Sequence, residues 1–580
     1  MFLATTALKE FWDPADELLL LGPWCIRFDD PHWLEGLRCR KLPNVWDDRA
    51  RLEEAARYCQ DIQDDMLRQL ADYLAEAHGE RLSPRYWKIL IGAWLLYYTH
   101  QLFDRFTQVR AALELQPQAR SLLLEPDDFH VPRTTAEFLP FYHTDHYNLQ
   151  LYSEIFRFLE KSWPSRRRTY APAAPAGALR PRGTPALAAL SRAAILRRGA
   201  ALVTDELYPL GRKRLWRWTA SARGRCLPLS GAPLPTAPAR LNAKRLGLAG
   251  LHGQDEFRRL LIATLPRALP AVALEGFAAA RRSSPARRGP VPGAVMASTG
   301  WFYDDSFKLA AAEWAERGAR LWGLQHGGQY GMAKYSLAES FERSLCERYF
   351  TWGWSGLDGD KRLSDLPLPA ARAAARAGRG DDIVVLTLEN VKNTHHLFPH
   401  PLGWQWQEHF AWLERLLAAL TPELSRVRLR FYPHDYGWGH RRSLRQRFPA
   451  LRADDSGLPL AKRAAKARLL ISDYPGTPFL ELLALDVPSI HFWNERLWET
   501  RDSALPDLDA LRRAGILHSD PESAARKALE VAADPRRWWE ARPARSARAR
   551  LVEHFCRRES GWLKSWRRAL LDGTPPGLVP

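Results

Sequence analysis

A chain of 580 residues is too long for one core, and the usual domain size of roughly 100–200 residues predicts two or three domains. Hydrophobic content of 46% and charged content of 26% suit a folded soluble protein, but 84 Lys+Arg against 66 Asp+Glu leave a net charge of +18. That excess favours polyanionic partners; with no RNA-binding or zinc-finger signature beside it, nucleic acid is not expected, and an anionic membrane face, contacted peripherally, and phosphorylated substrates are the remaining candidates.

Met1–Trp12 (MFLATTALKEFW) has no basic segment followed by an apolar one, so no secretory leader is expected. The six cysteines (Cys25, Cys39, Cys59, Cys226, Cys346 and Cys556) form no CxxC pair and have no histidine at ligand spacing, which predicts reduced thiols and no structural zinc. Glu17–Leu21 (ELLLL), followed by Gly22-Pro23-Trp24, reads as a buried strand ending in a loop. Asp47–His78 carries a long helical pattern, and Pro84 opens a second helix running past Trp94 towards Leu113. The apolar run inside it, Ile89–Tyr98, is about half of the roughly 20 residues a bilayer requires, so it predicts a core helix. Arg166–Ala186 and Arg281–Gly293 are basic and proline-rich; they predict solvated connections, with contact to anionic lipid as the second reading.

From Ala294 the pattern becomes strand, helix, strand. AVMAST is the first strand, and Asp304 or Asp305 caps a helix whose apolar face is Phe307, Ala311, Trp314 and Ala315. RLWGLQ is the next strand and delivers His326, so the unit predicts a parallel βαβ crossover. A second α/β series follows: strand Asp381–Leu388, helix Trp404–Leu420, a strand ending near Phe431, then strand, loop, helix and strand within Arg468–Trp493. The tail from about Arg536 to Leu571 is helical and basic. Two α/β domains joined near Trp352–Trp354 place the expected ligand site in the cleft between them.

Three stretches carry the expected chemistry. In SDYPGTPFLE (Ser472–Glu481), Ser472 and Asp473 end a buried strand, Gly476 permits a tight turn, Thr477 suits an N-cap and Pro478 the first helical position. The helix start then offers free N–H groups and a positive dipole end to a phosphate, with Glu481 placed to accept from ribose hydroxyls. In FYPHDYGWG (Phe431–Gly439), His434 can hold a phosphate, with Arg430, Asp435 and Tyr436 as further candidates around it. In LQHGGQYG (Leu324–Gly331), Gly327 and Gly328 allow a sharp bend and close approach, and His326 suits a general base. The absence of Walker A, GxGxxG and GxSxG patterns disfavours P-loop kinases, dinucleotide oxidoreductases and α/β-hydrolases. No metal site or cofactor is expected.

These segments resemble a known group. ISDYPGTPFLELLALDVPSI is similar to the nucleotide-phosphate loop of CDP-glycerol glycerophosphotransferases and related capsule enzymes, QHGG resembles their catalytic histidine loop, and PHDYG sits where they carry a second histidine. More closely, MFLATTALKEFW, LGPWC, SPRYWKILIGAWL, FKLAAAEWAERGARLWGLQHGGQYG, YFTWGW and FYPHDYGW resemble a bacterial transferase family of O-antigen and surface-polysaccharide clusters. The resemblance implies a GT-B-like α/β fold, two Rossmann-like domains facing a cleft with a helix-rich N-terminal part. It implies His326 as base, and His434 and Ser472–Thr477 as donor-phosphate contacts. The relatives' His-Pro is Pro433-His434 here, and Pro475-Gly476-Thr477 replaces their paired serines.

The expected organisation is an acceptor-side domain over 1–350, a donor-binding domain over 351–535 and a helical tail over 536–580 packing back on the first. The expected activity is a cytoplasmic, metal-independent glycosyltransferase with a nucleotide-sugar donor, a CMP-linked acid sugar being preferred, and a glycan or lipid-linked acceptor. The alternatives are a glycerophosphotransferase using a CDP-linked donor and a non-catalytic anionic-polymer-binding scaffold of the same fold.

Overall fold

The computed structural model describes residues 1–171, 200–205, 207–208, 210–229, 234–235, 241–370 and 380–572. The N-terminal part is a small parallel sheet covered by helices. Strands β1 (Phe2–Ala4), β2 (Leu18–Leu20) and β3 (Cys39–Lys41) pair in order, with β2 buried as its leucine run predicts. Helix α1 (Arg49–His78) is capped by Asp48, whose carboxylate accepts from the Ala50 and Arg51 N–H groups, and it ends at left-handed Gly79. Helix α2 (Pro84–Leu115), capped by Ser83, is buried nearly all round, with Trp87 and Trp94 wholly inside. Among the described residues no helix is long and apolar enough to cross a membrane.

Two six-stranded parallel sheets follow. The first has order β9-β8-β7-β6-β4-β5, built from β4 (Leu202–Thr204), β5 (Cys226–Pro228), β6 (Ala294–Ala297), β7 (Arg320–Leu324), β8 (Arg348–Thr351) and β9 (Leu363–Asp365). The second has order β12-β11-β10-β13-β14-β15, from β10 (Ile383–Leu386), β11 (Val427–Arg430), β12 (Arg452–Ala453), β13 (Leu469–Ser472), β14 (Ser489–Phe492) and β15 (Leu517–His518). In sequence terms the second is 3-2-1-4-5-6, the order of a dinucleotide-binding sheet, with its switch point between β10 and β13. The first reverses between β4 and β6. The architecture is therefore α/β and GT-B-like, two Rossmann-like units with a helix-rich N-terminal part.

That N-terminal part grips both units. Arg105 on α2 lies wholly inside beside Asp104 (2.7 Å), bonds Asn148, and donates to the Thr394 carbonyl in the loop after β10. Arg49 on α1 pairs with Glu499 at 2.8 Å, and Gln405 donates to the Trp46 carbonyl at 3.1 Å.

Two expectations need amendment. The chain does not leave the first unit near Trp352–Trp354: both rings are wholly buried, and β9 adds a strand to the same sheet beyond them. Arg281–Gly293 is not a solvated run, because its first residues close the helix Phe277–Ser283, Pro285–Arg287 form a 3-10 turn, and Ala286 and Val291 are buried. Glu80 and Glu313 neutralise Arg281 at 2.6 and 2.7 Å, which removes the charge penalty that argued against packing. Of the Arg166–Ala186 stretch, Arg166–Ala171 are described and its remainder, 172–186, lies outside the described residues.

Candidate active site

The carboxyl ends of both sheets point at one seam. At the switch point of the first sheet, between β4 and β6, Asp205 is buried and its Oδ2 accepts from the N–H groups of Ser298, Thr299 and Gly300 at 2.8, 2.9 and 2.9 Å. The crevice where an open α/β sheet can bind a ligand is here filled by the protein's own carboxylate.

One strand along, β7 ends at Gln325, a wholly buried amide. Its Oε1 accepts from the Trp352 N–H (3.0 Å) and the Trp354 indole (2.7 Å), and its Nε2 donates to the Gly327 carbonyl (2.9 Å). This pins the turn that carries His326. The imidazole Nε2 lies 2.7 Å from Glu342 Oε1, and the Tyr330 hydroxyl stands 3.0 Å from each of those two atoms. Glu342 comes from α7 (Leu337–Leu345), an amphipathic helix capped by Ser336, and its other oxygen accepts from Tyr349 at 2.7 Å. The Glu342 side chain is wholly buried, and the His326 side chain is 18% exposed.

Against a carboxylate, Nε2 carries the proton, so the lone pair is on Nδ1, which makes no hydrogen bond among the described residues. Burial works against an imidazolium at His326, but the charge of Glu342 and its hydrogen bond outweigh this and raise the imidazole above its usual range. Burial likewise raises the Glu342 carboxyl, while His326 and the two phenols oppose that shift. Chemically this is a base with an oriented tautomer and a buried carboxylate behind it.

The second unit meets this turn at α9 (Thr477–Ala484). Gly476, not Thr477, is the N-cap; Thr477 occupies the first helical position and Pro478 follows. The Thr477 hydroxyl is drawn outwards because it accepts the Gly328 N–H at 3.1 Å. A Cβ on Gly328 would lie 2.6 Å from Thr477 N and 2.8 Å from the Gly476 carbonyl carbon, so only glycine fits there. The close approach is thus to the other unit's backbone. Gly327 has ordinary room, its nearest atom being 3.6 Å from a virtual Cβ.

The other predicted residues are distributed unevenly. Ser472 turns into the sheet, its hydroxyl 2.7 Å from His491 Nδ1. Asp473 is also buried; its Oδ2 accepts from Thr387 at 2.6 Å, its Oδ1 has no partner among the described residues, and burial raises its carboxyl to about 7. Arg430 is committed to Asp454 (3.1 Å) and the Leu458 carbonyl (2.6 Å). Asp435 is exposed and closes its own turn by accepting from Gly437 N–H, while His434 is exposed beside the rings of Tyr432 and Tyr436. Glu481 is half-buried; burial raises its carboxyl, opposed by the neighbouring Arg558 and Arg214.

Several residues at the seam went unread in the sequence. Tyr303, after β6, is 39% exposed and lies within electrostatic reach of Glu342 and of Tyr432 from the second unit. His143 faces Tyr436 with ring centroids 6.5 Å apart. Glu389, just beyond β10, accepts from the Tyr436 N–H at 3.3 Å through one oxygen, has no partner for the other among the described residues, and is raised to about 7 by burial. The signal for Glu389 was present: TLENVKNTHH places polar side chains at the carboxyl end of a buried strand.

Two Rossmann-like units that meet carboxyl end to carboxyl end, with an oriented histidine on one and a helix start on the other, define a two-domain α/β enzyme fold. The chain belongs to the LIC12162 family transferase group, whose model matches residues 1–570. It is a transferase. No curated protein matches it by sequence. Among solved structures it is similar to an α,α-trehalose-phosphate synthase (UDP-forming) from Burkholderia vietnamiensis, at 12% identity over 64% of this chain and 95% of that one, with a TM-score of 0.34.

Proposed function

We propose that the protein is a glycosyltransferase that moves a sugar from a nucleotide-activated donor to a hydroxyl acceptor. The observation that carries this reading is His326, with Nε2 engaged by a buried carboxylate and Nδ1 left as the acceptor, on a turn touching the helix start of the opposing unit. In the reaction, His326 Nδ1 removes the proton of the acceptor hydroxyl as its oxygen bonds to the anomeric carbon. The bond from that carbon to the donor phosphate breaks, and the negative charge leaves on the phosphate. The α9 N–H groups and dipole are suited to stabilising that charge. Since Gly328 covers Thr477 N in this arrangement, a donor phosphate reaches the helix start by displacing that contact. In this reading Glu481, one turn into α9, accepts from ribose hydroxyls, and exposed His434 gives a second phosphate contact. The motif resemblances favour a CMP-linked acid sugar as donor and surface-polysaccharide assembly as the setting, at the inner face of the membrane where the net charge of +18 suits an anionic surface.

A thermal-shift panel of CMP-, CDP-, UDP- and GDP-linked sugars tests the donor class. One nucleotide series should raise Tm in proportion to the logarithm of its concentration, and the stabilising donor should be consumed when a glycan acceptor is added. If none of the four series stabilises the protein, the reading fails.

A further inference from the structure

Away from the seam, the face of the first sheet opposite the N-terminal helices is covered by α10 (Trp562–Leu570), whose Trp562, Trp566 and Leu570 pack on Trp322 and Phe350. Beside that packing is a hollow of about 430 Å³ lined by four arginines, Arg320, Arg348, Arg557 and Arg568. Arg557 is matched, to Glu559 at 2.7 Å and Asp365 at 3.6 Å. The other three have no carboxylate partner among the described residues.

Their placement is fixed. Arg320 lies over the Trp322 ring at 5.3 Å, reaches the Gly293 carbonyl through Nε at 3.4 Å, and has Nη2 buried with no partner among the described residues. Arg348 lies over Phe350 at 4.7 Å, with Nε on Ser364 (2.9 Å) and Nη1 on the Ala569 carbonyl (3.1 Å). Burial and the neighbouring Arg320 charge both disfavour the Arg348 guanidinium. Arg568 is exposed at the rim on α10. Facing these three is Asp572, which makes no ion pair among the described residues. Two guanidiniums held on aromatic faces, beside a third and short of counter-charge, are the donor geometry that a phosphoryl group satisfies with paired N–H bonds.

We propose that this hollow is a second binding site, taking a phosphoryl-bearing anion on the sheet face that α10 covers. It is distinct from the seam: Arg320 and His326 are six positions apart along one extended run, about 20 Å at the rise of a strand. The site does not depend on the glycosyl-transfer reading.

The test is calorimetric titration of the full chain with sodium pyrophosphate, in wild type, Arg568→Ala and Arg348→Ala/Arg568→Ala. The double variant should bind at least tenfold more weakly and Arg568→Ala severalfold more weakly. Arg568 is exposed, so its single variant keeps the test readable should loss of Arg348 unfold the protein. Flotation with phosphatidylglycerol and phosphatidylcholine vesicles separates the sources. Binding to the anionic vesicles that the double variant loses identifies a lipid headgroup; pyrophosphate binding without vesicle binding identifies a soluble phosphate compound. Wild type that binds neither probe, or variants that bind both as wild type does, overturns the proposal.

Discussion

The two loops that meet at the seam hold their polar side chains in opposite ways. In Ser472–Glu481, the loop with the clearest local signature, Ser472 and Asp473 face inwards on His491 and Thr387, and what reaches the seam is the Thr477 hydroxyl and a helix start. In Leu324–Gly331, locally the weaker signature, the histidine is braced by Gln325 behind it and by Glu342, Tyr330 and Tyr349 around it. One loop presents backbone and the other a tuned side chain. A motif shows where the chain turns; the partners of each side chain show what the turn can do.

Removing the tuned side chain should give the largest effect. His326→Ala is expected to lower kcat by about 10²–10⁴-fold, the usual contribution of a general base, while the nucleotide thermal shift stays at the wild-type value. Glu342→Gln should act through the histidine. His326 is raised by Glu342 against the effect of burial, and the reactive form is the neutral one, so the wild-type rate is lost as pH falls through a value above about 6.5. With the charge gone, burial governs, and the acid limb of the pH–rate profile should move to lower pH.

The contact between the loops gives the next effect. Gly328→Ala forces a Cβ to within 2.6 Å of Thr477 N, and overpacking of this kind costs about 1–3 kcal/mol, so Tm should fall by several degrees. Gly327→Ala, with 3.6 Å of room, should leave Tm within a degree of wild type. A smaller change than that of Gly328→Ala is expected from Ser472→Ala, which loses one buried hydrogen bond worth about 1 kcal/mol and should leave the donor KM unchanged. Thr477→Ala should raise that KM. An equal response of the two variants would erase the difference between inward and outward hydroxyls.

Much of the framework was legible because it depends on local pattern. The two long N-terminal helices, β6 with its capped crossover helix, β7, β10 and the β13–α9–β14 unit follow from periodicity, from Pro84 opening the second helix and from Asp304 as a cap. The proline-rich Arg281–Gly293 stretch was misread because its packing depends on Glu80 and Glu313, far away in sequence. Glu342 shows the same limit at the site. In LAESFERSL it is one of two glutamates on an amphipathic helix, and its importance comes from a turn 16 residues earlier folding over it. The cap was placed one position late, on Thr477 instead of Gly476, because the partner of the Thr477 hydroxyl, Gly328, lies 149 residues away.

The central claim is that Glu342 holds His326 with its proton on Nε2 and its lone pair on Nδ1. Imidazole nitrogen and carbon NMR of histidine-labelled protein, titrated from acid to neutral pH with the His326 signal assigned by its loss in His326→Gln, reads this directly among 17 histidines. The account predicts the Nε2–H tautomer and a pKa above about 6.5 that falls in Glu342→Gln. An Nδ1–H tautomer, or a titration that Glu342→Gln leaves in place, would contradict it.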